Sequence, residues 1–339
     1  MRVGLICPYD LSRFGGVQNQ VHALNRLLGE HGDGSVMIGP GAVDGVDLGG
    51  SISVKANRSI VPLRLDPRVR AKIIEAIADV DVVHLHEPMI PAVGWAAIGV
   101  AKPLVATFHA DKPKWASWLY RVVPDRLWRR RVLTAVSAVA ADLPWPAVRI
   151  IPNGIQTSSF RSGGQRHRQR VVFVGRDDRR KGLDVLVQAW AEVHEAHPSA
   201  ELVVIGAEGI DREHVRYVGR VTDAEKSTWL QSAAVLAAPN LGGESFGMNV
   251  AEGMAAGCAV VATDLPAFRE LTGGTARLTP VAAARPLASA LIDLLTSGTA
   301  ADAMGKRARE RIKRFDWSAV FPRYRAAYDD AIDLFNSHR

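Results

Sequence analysis

The sequence predicts an α/β protein built from two doubly wound domains, each with a parallel sheet and helices on both faces. Short apolar runs rich in Val, Ile and Leu alternate with longer segments of helical period along the 339 residues. A run without polar alternation indicates a strand buried on both faces, and strands that alternate with helices form parallel sheets. The polar, basic, Gly-containing segment 161–170 (RSGGQRHRQR) predicts a linker between two units of about 150 residues each.

Polar residues that follow each predicted strand are the candidates for a functional site. Ligands of open parallel sheets bind at the carboxyl ends of the strands. The chain from residue 306 to its end has mostly helical period. The runs predicted as strands are 2–7, 80–85, 104–108, 132–136, 150–151, 170–174, 201–205, 215–218, 234–237 and 259–262.

The composition is that of a chain able to bury a sizeable core. With 47% hydrophobic and 23% charged residues, it excludes disordered, collagen-like and coiled-coil classes. The two cysteines, Cys7 and Cys258, exclude a disulfide scaffold and indicate a reducing compartment. No apolar run reaches the roughly 18–20 residues of a membrane helix, and the first predicted strand leaves no space for a signal peptide. We therefore expect a cytoplasmic protein, and its net charge of +7 indicates an anionic partner.

Two loops combine glycine or cations with the start of a helix. Gly15 and Gly16 precede a helix predicted over 18–29, where backbone amides and the helix dipole favour a phosphate. A tight turn is the alternative, and no GxGxxG fingerprint is present. Arg176 follows a strand and Lys181 precedes a helix; a guanidinium fork and a point charge suit a diphosphate. The alternative for this second loop is a solvated basic surface.

The segment 242–257 (GGESFGMNVAEGMAAG) carries the strongest pattern. Glu244 lies in a Gly-rich loop, and Glu252 lies eight positions later inside the predicted helix. At the helical rise per residue this separates them by roughly 12 Å, about the span from the sugar to the ribose of a nucleotide-sugar. Backbone amides around Phe246 and Gly247 would receive a diphosphate or a sugar hydroxyl. A solvated helix face is the alternative for Glu252.

Other polar clusters have less specific interpretations. The sequence HLHE at 84–87 ends a strand, and we expect a structural or substrate-contacting role in preference to a metal site. Asp79 and Asp81 match a DxD pattern but precede their strand, so we interpret them as turn residues. His109 directly follows a strand, where a role in a site and a structural role both stay open.

These motifs occur in the order of a known family. The GGVQ loop, the HxHEP strand end, the FH pair, the IPNG turn, GRxDxRKG and ESFGxxxxEGMAAG together resemble the retaining family 4 glycosyltransferases of the GT-B fold. The chain is most similar to actinobacterial phosphatidylinositol mannosyltransferases. The resemblance runs along nearly the whole chain, including FDW at 315–317. It implies two Rossmann-like domains facing a central cleft: an acceptor-binding domain at 1–158, with helix 318–339 crossing back, and a nucleotide-sugar-binding domain at 159–317.

The resemblance also implies roles for individual residues in donor binding and catalysis. Gly15 and Gly16 would contact the distal phosphate, and Arg176 with Lys181 would hold the diphosphate. Glu252 would bind the ribose hydroxyls. Glu244 would bind the sugar hydroxyls, Phe246 and Gly247 would supply backbone amides, and His109 would lie near the reacting carbon. The catalytic residues implied by the resemblance are His109, Arg176, Lys181 and Glu244.

On the acceptor side the resemblance implies Tyr9 and Gln18 facing an inositol and Lys114 binding the acceptor phosphate. The chain departs from the pattern at Gln156, where the family has Asp. Cations and helix termini would stabilise the leaving diphosphate, so no cofactor is obligatory and no metal site is expected. Stimulation by a divalent cation stays open. The expected donor is GDP-mannose and the expected acceptor a phosphatidylinositol-type lipid.

Two basic segments of the first domain suggest contact with anionic phospholipid at the inner face of the plasma membrane. The segment 62–77 has Arg68, Arg70 and Lys72 between apolar residues. The segment 112–123 has Trp115 and Trp118 flanked by cations. Tryptophan beside Lys or Arg suits the headgroup region. In the alternative, each helix simply packs its apolar face on the sheet.

Two further readings of the whole protein stay open. A family 4 enzyme could use a UDP-sugar and a soluble acceptor, such as an inositol phosphate or a small glycoside. A nucleic-acid-binding module is supported only by the high pI of about 9.6, and no zinc, RNP or helix-turn-helix signature accompanies it. We therefore expect no nucleic acid and no obligatory protein partner.

Overall fold

The chain folds into two compact units, Met1–Asn153 with Val320–Arg339, and Gly154–Ala319. Each unit contains one parallel sheet with helices, which confirms the predicted α/β class. The computed structural model describes residues 1–49, 52–56, 59–63, 68–111, 120, 124, 127–145, 147–160, 166–211 and 214–337.

The first unit is built on a seven-stranded sheet. Its strands are β1 Arg2–Ile6, β2 Gly34–Gly39, β3 Gly45–Asp47, β6 Val82–His86, β7 Leu104–Phe108, β8 Val132–Ala135 and β9 Arg149–Ile150. A separate antiparallel hairpin consists of β4 Ile52–Ala56 and β5 Ser59–Leu63. The described helices between the strands are α1 Gly16–Glu30, α2 Arg68–Ala76 and α3 Val93–Ile98.

All strand pairs of this sheet are parallel, in the order β3-β2-β1-β6-β7-β8-β9. The chain runs from β1 outward to β3 and then continues on the other side of β1 with β6. This reversal is a topological switch point, the place where open α/β sheets bind ligands. The loops after β1 and β6 therefore meet at one edge of the sheet.

The second unit has a six-stranded sheet in the order β12-β11-β10-β13-β14-β15, again with parallel pairs. Its switch point lies between β10 and β13. The strands are β10 His167–Val174, β11 Glu201–Ile205, β12 Val215–Gly219, β13 Ala233–Ala238, β14 Ala259–Thr263 and β15 Arg277–Thr279. The helices are α4 Leu183–Ala196, α5 Asp223–Ser232, α6 Met248–Ala256, α7 Pro266–Thr272, α8 Ala284–Thr296 and α9 Gly298–Ile312. Short 3₁₀ turns cover Thr157–Phe160, Arg179–Lys181 and Lys313–Phe315.

Helices α4 and α8 cover one face of the second sheet. Their apolar stripes bury Leu186, Val193 and Leu291 against Phe173 and Val204 of the strands. Each of these side chains has 0% exposure, so the strands are covered as their unbroken apolar runs require.

The last helix, α10 Trp317–Asn336, belongs from Val320 onward to the first unit. There its tyrosines Tyr324 and Tyr328 are buried, and Tyr328 Oη lies 2.9 Å from Nδ1 of His84 on β6. The helical period predicted for the end of the chain is therefore confirmed for the described residues.

The predicted strands are all present, some with ends shifted by a few residues, but four regions were missed. They are β2, β3, the β4–β5 hairpin and β15. The hairpin and β2 contain polar residues, glycine or proline among the apolar positions, and β3 and β15 have three residues each, too short for a period to show.

The predicted linker is wrong over 166–170, and residues 161–165 lie outside the described part. Strand β10 begins at His167, inside the predicted linker. Two arginines of this segment make hydrogen bonds or ion pairs within the second unit. Arg166 donates to the backbone oxygens of Ala233 and, at 2.9 Å, Ala256. Arg170 Nε lies 2.6 Å from Glu201 Oε1 on the neighbouring strand β11. The basic segment 166–170, which was predicted to lie in a solvated linker, therefore lies at the start of the second sheet.

Candidate functional site

In the second unit, the loops after β10 and β13 are joined at the switch point. The backbone N–H of Leu241 donates to the oxygen of Arg180 at 2.7 Å. Gly182, with φ of 71°, begins α4 as its N-cap, and a Cβ at this position would lie 1.9 Å from the oxygen of Pro239. Only glycine allows this approach, so Gly182 is needed to bring the two loops together.

The approach of the loops places a lysine against a carboxylate. Lys181 Nζ donates to Glu244 Oε2 at 2.8 Å, and Asn240 Nδ2 donates to the same oxygen at 2.9 Å. The Lys181 and Glu244 side chains are 25% and 16% exposed. The two loops therefore form a half-buried ion pair at the carboxyl end of the sheet.

Like Arg179, Arg176 is an exposed cation of this loop. Among the residues that the structure describes, none forms a salt bridge with it, whereas its neighbour Arg180 pairs with Asp178 at 2.6 Å. The hydrogen bond from Arg180 lowers the pKa of Asp178, and the charge of Arg176 adds a smaller effect. An anionic ligand could thus bind Arg176 without displacing a salt-bridge partner among the described residues.

Helix α6 begins directly after Gly247, as its predicted role requires. Gly247 has φ of 99°, and a Cβ there would lie 2.6 Å from the ring of Phe268. The side chain of Phe246 is buried against Phe315, with ring centroids 5.7 Å apart, so Phe246 offers only its backbone to a ligand. Asn249 Nδ2 donates to Val174 O at 3.2 Å, which ties the first turn of α6 to the end of β10.

The expected helical spacing between Glu244 and Glu252 is wrong. Because α6 starts at Met248, the helical rise applies only from Met248 to Glu252, about 6 Å. The remaining distance between Glu244 and Glu252 is set by the glycine-containing loop before the helix. This loop is not helical, so the helical rise per residue does not predict its length.

Glu252 has a partner that sequence reasoning missed. Lys226 Nζ on α5 lies 2.8 Å from Glu252 Oε1 and 3.0 Å from Asp223. Burial raises the pKa of Glu252, and the Lys226 cation opposes that shift. The alternative of a solvated helix face is excluded, since the Glu252 side chain is 13% exposed.

In the first unit, the glycine pair and Gln18 lie at the start of α1, which begins at Gly16. Gln18 Nε2 donates to the backbone oxygen of Asp10 at 3.3 Å. A Cβ at Gly15 would lie 2.3 Å from Gln18 Oε1, whereas a Cβ at Gly16 would meet nothing within 4 Å. Because the end of the Gln18 side chain can move, packing does not by itself require glycine at position 15 or at position 16.

His109 lies on the same edge and is enclosed by the HLHE segment. His109 Nε2 is 2.9 Å from Nδ1 of His86, and its backbone N–H donates to Glu87 Oε1 at 2.6 Å. His109 is 5% exposed, and burial lowers its pKa to about 3. Burial raises the pKa of Glu87 to about 7, and both burial and the nearby Glu87 raise the pKa of the predicted acceptor residue Tyr9.

His84 is structural. Its ring is fully buried and lies 2.7 Å from Thr107 Oγ1, in addition to its contact with Tyr328. In the DxD pattern, Asp81 Oδ2 accepts from the backbone N–H of Arg2 at 2.7 Å, at the amino end of β6. Within the described ranges, no group of three or more His, Cys, Asp or Glu side chains could hold a metal ion.

The predicted lipid-contacting residues are only partly described. Lys114, Trp115 and Trp118 lie outside the described residues, so the structure does not place them. On α2, Arg68, Arg70 and Lys72 are exposed.

The apolar side of α2 is largely used within the fold. Val69, Ile73 and Ile77 have 2%, 0% and 3% exposure, so packing on the protein accounts for them. Two apolar side chains remain exposed on α2 and the adjacent α3, namely Ile74 at 49% and Trp95 at 54%. Trp95 was missed because α3 is too short to show a helical period. No helix in the described part of the chain has the length and apolar character needed to span a bilayer.

Family models match both units of the chain. Residues 14–159 match the model described as Glycosyltransferase Family 4, and residues 168–297 match Glycosyl transferases group 1.

Curated relatives and a solved structure match nearly the full length. A phosphatidyl-myo-inositol mannosyltransferase of Mycolicibacterium smegmatis is 35% identical over 97% of this chain and 94% of its own. The protein of that name in Propionibacterium freudenreichii is 34% identical with the same coverage. The Anabaena protein Alr3699/HepE, solved in complex with UDP and glucose, superposes with a TM-score of 0.77. It is 16% identical and covers 97% of this chain and 99% of its own.

The structural likeness supports the GT-B fold expected from the resemblance, because the Anabaena structure superposes on 97% of this chain. The sequence likeness to the mannosyltransferases is high enough to show common membership. The chain therefore belongs to the family 4 glycosyltransferases and is a glycosyltransferase.

Proposed function

We propose that this enzyme transfers mannose from GDP-mannose to a phosphatidylinositol-type lipid. The observation that carries the proposal is the similarity of nearly the whole chain to curated phosphatidyl-myo-inositol mannosyltransferases, at 35% identity for the relative from Mycolicibacterium smegmatis. The first domain, 1–158 with the returning helix 318–339, would bind the acceptor. The second domain, 159–317, would bind the nucleotide-sugar.

In this proposal the second unit holds the donor. Breaking the glycosyl–phosphate bond places negative charge on the leaving diphosphate, and Arg176 and Lys181 would stabilise that charge as it forms. The amides of Phe246 and Gly247, before α6, would add donors aligned with the helix dipole. Glu252 would accept hydrogen bonds from the ribose hydroxyls. Its ion pair with Lys226 favours the charged carboxylate that this role needs.

Glu244 would bind hydroxyls of the donor sugar. Its Oε2 atom already accepts from Lys181 and Asn240, so the carboxylate is held in place by two donors from different parts of the loops. Lys181 and Glu244 lie together in one half-buried region. A diphosphate that binds Lys181 would weaken its hydrogen bond to Glu244, and the Glu244 carboxylate could then accept a hydrogen bond from the sugar. The leaving phosphate would take the proton of the attacking hydroxyl on the same face, which retains the configuration.

The first unit would hold the acceptor. Tyr9, Gln18 and Lys114 would contact the inositol phosphate, Gly15 and Gly16 the distal phosphate of the donor, and His109 the sugar near the reacting carbon. Support comes from the switch point of the first sheet, where the loops after β1, β6 and β7 meet.

The test is a transfer assay across GDP- and UDP-sugars, with and without phosphatidylinositol vesicles. We expect turnover only with GDP-mannose and the lipid, and a larger thermal shift with GDP than with UDP. The second candidate, a UDP-sugar and a soluble inositol phosphate or glycoside, is favoured by the UDP complex of the Anabaena structure. Transfer from a UDP-sugar to a soluble acceptor, without activity on lipid, would establish that candidate instead.

The proposed role of Glu244 separates transfer from nucleotide binding. Glu244→Ala removes the sugar contact but leaves the Lys181 cation unpaired, so we expect transfer to be abolished and GDP affinity to be kept. Glu208→Ala, at an exposed glutamate that follows β11 at the same edge, is the matched control and should leave both unchanged. Loss of GDP binding together with transfer in Glu244→Ala would refute the assignment.

We also propose that the enzyme is cytoplasmic and binds the inner face of the plasma membrane through α2 and α3. The exposed cations of α2 lie beside exposed Ile74 and Trp95, and Arg70 Nη1 donates to Ala96 O at 2.8 Å, which joins the two helices. Each basic residue near an anionic surface contributes about 1 kcal/mol.

Cosedimentation with phosphatidylserine vesicles tests this surface. Arg68→Gln with Lys72→Gln should weaken binding by roughly 30-fold, the equivalent of two such contributions. Lys306→Gln with Arg307→Gln, an equal loss of charge on exposed residues of α9, should leave binding unchanged. Equal effects of the two double variants would exclude α2 as the contact.

A further inference from the structure

The glycine-rich loop that carries Glu244 has an internal hydrogen bond across its two glycines. Asn240 Nδ2 donates to Glu244 Oε2 at 2.9 Å, four positions along the same loop. Gly242 and Gly243 lie between them, with φ of 140° and 66°. Because glycine restricts the backbone little, the chain between the two residues does not by itself fix the Glu244 side chain. The side chain of Asn240 supplies that restriction.

Asn240 is itself fixed on both sides. It is 1% exposed. The carbonyl oxygen of Pro239, the preceding residue, lies against Gly182, and the N–H of Leu241, the following residue, donates to Arg180 O at 2.7 Å. The backbone of Asn240 is therefore held against the turn before α4, and its short, buried side chain has few alternative rotamers.

The buried amide of Asn240 is directed to Glu244. A carboxylate only accepts hydrogen bonds, so the NH₂ group of the amide must face Glu244. The Oδ1 atom of Asn240 is buried without a hydrogen-bond partner among the described residues. Burying an amide oxygen in this way costs free energy. Within the described ranges, the contact with Glu244 is thus the one hydrogen bond that the Asn240 side chain makes.

The other hydrogen-bond donor to Glu244 is of a different kind. Lys181 Nζ reaches Oε2 at 2.8 Å from the neighbouring loop, on a long flexible stem that is 25% exposed. In the proposed function, the diphosphate competes for this cation. Asn240 is neutral and buried, so a diphosphate competes much less for its N–H group. The bond from Asn240 is therefore the one able to persist while the nucleotide-sugar is bound.

Both groups contact the same oxygen of the carboxylate. Lys181 and Asn240 each donate to Oε2, and no described residue donates a hydrogen bond to Oε1 of Glu244. The Glu244 side chain is 16% exposed, so it is not closed off from a ligand. This arrangement leaves Oε1 as the acceptor for a sugar hydroxyl.

We infer that Asn240 is a positioning residue that holds Glu244 in place, with Oε1 directed to the donor sugar, while Lys181 is engaged by the diphosphate. The inference rests on the proposed function, in which Glu244 binds the sugar hydroxyls. Asn240 need not touch the substrate, because its effect is transmitted through the hydrogen bond to Oε2.

The contact itself is tested without substrate, by a double-mutant cycle of Asn240→Ala and Glu244→Ala in urea denaturation. Residues joined by a hydrogen bond give non-additive effects on stability. We expect the double variant to lose less stability than the sum of the two single variants. Additive effects would overturn the inference.

Two substitutions of Asn240 separate the hydrogen bond from the volume of the side chain. Asn240→Ala removes both, whereas Asn240→Asp keeps the shape but, when ionised, cannot donate and repels Glu244. We expect each to lower kcat/KM for transfer about 10²-fold, the cost of misplacing a group at a reacting centre. GDP carries no sugar, so Asn240→Ala should bind GDP as the wild type does.

The matched controls are Gln169→Ala and Gln169→Glu. Gln169 Nε2 donates to Leu295 O at 3.3 Å near the amino end of β10, at the opposite edge of the same sheet. Both variants remove a side-chain amide hydrogen bond of the second unit and should leave kcat/KM unchanged.

The possible failures are distinguishable. The inference on Asn240 is wrong if Asn240→Asp transfers as well as the wild type, or if Asn240→Ala loses GDP affinity together with transfer. Full activity of Asn240→Ala beside an inactive Glu244→Ala would refute the role of Asn240 and leave that of Glu244. Absence of transfer by the wild type from every nucleotide-sugar would refute the proposed function, and with it the role of Asn240.

Discussion

The buried carboxyl of Glu87 should make the stability of the first unit depend on pH. Glu87 is 3% exposed, and burial raises its pKa from 4.5 to about 7, although backbone N–H groups of His109 and Ala110 oppose the shift. In the unfolded chain the carboxyl ionises near its ordinary value, while in the folded protein it stays protonated to a higher pH. The stabilising effect is therefore present below pH 4.5 and is lost as the pH rises to 7.

The magnitude follows from the shift. A difference of about 2.5 pKa units corresponds to about 3.4 kcal/mol at 1.36 kcal/mol per unit. Of this, about 2.5 kcal/mol falls between pH 5 and pH 8. Glu87→Gln keeps an oxygen acceptor for the N–H of His109 but carries no charge, so it does not lose this stability. Relative to the wild type, the variant should become more stable by about that amount from pH 5 to pH 8.

The assay is hydrogen–deuterium exchange of peptides from β6 and β7, compared between wild type and Glu87→Gln at each pH. Intrinsic exchange rates cancel in that comparison, and the protection of central strands reports the opening free energy of the first unit. Glu75→Gln, at an exposed glutamate of α2, should show no such change. A constant difference between Glu87→Gln and wild type from pH 5 to 8 would refute the raised pKa.

Three further predictions concern the second unit, with one comparison variant in the first unit, and all are measured by urea denaturation. Gly182→Ala should cost at least about 2 kcal/mol, because φ is 71° and the new Cβ meets Pro239 O, whereas Gly16→Ala at an open position should change stability by less than about 0.5 kcal/mol. Leu236→Ala should cost about 2–5 kcal/mol, since the side chain is fully buried; a smaller loss would mean that the neighbouring Gly253 segment collapses into the cavity. Thr222→Ala should cost about 1 kcal/mol by removing the capping box with Glu225, and Thr222→Ser should restore it.

The parallel sheets were predictable because a strand covered on both faces has to be apolar at every position. Strands β7 and β11 have the predicted bounds for that reason. The apolar runs also predicted that His109, Arg176 and Glu244 follow the carboxyl ends of strands. The error over 166–170 arose because composition cannot distinguish a solvated cation from one paired with Glu201 on a neighbouring strand.

The partners of the site residues could not be predicted in the same way. Lys226 contacts Glu252 and Lys181 contacts Glu244 only because helices and loops from different parts of the chain converge. The apolar residues of α2 show the same limit. Their spacing predicts an apolar face, but only packing decides that Val69 and Ile73 are buried while Ile74 is exposed.

By itself, the sequence determined the α/β class, the family motifs and the residues at the strand ends. These depend on local properties, such as apolar runs, glycines required by backbone conformation and charges beside helix starts. Only the tertiary structure decided that His86 contacts His109, that burial raises the pKa of Glu87 to about 7, and that Lys181 pairs with Glu244. Those properties depend on distance and burial in space, which are set by the order of strands and not by position along the chain.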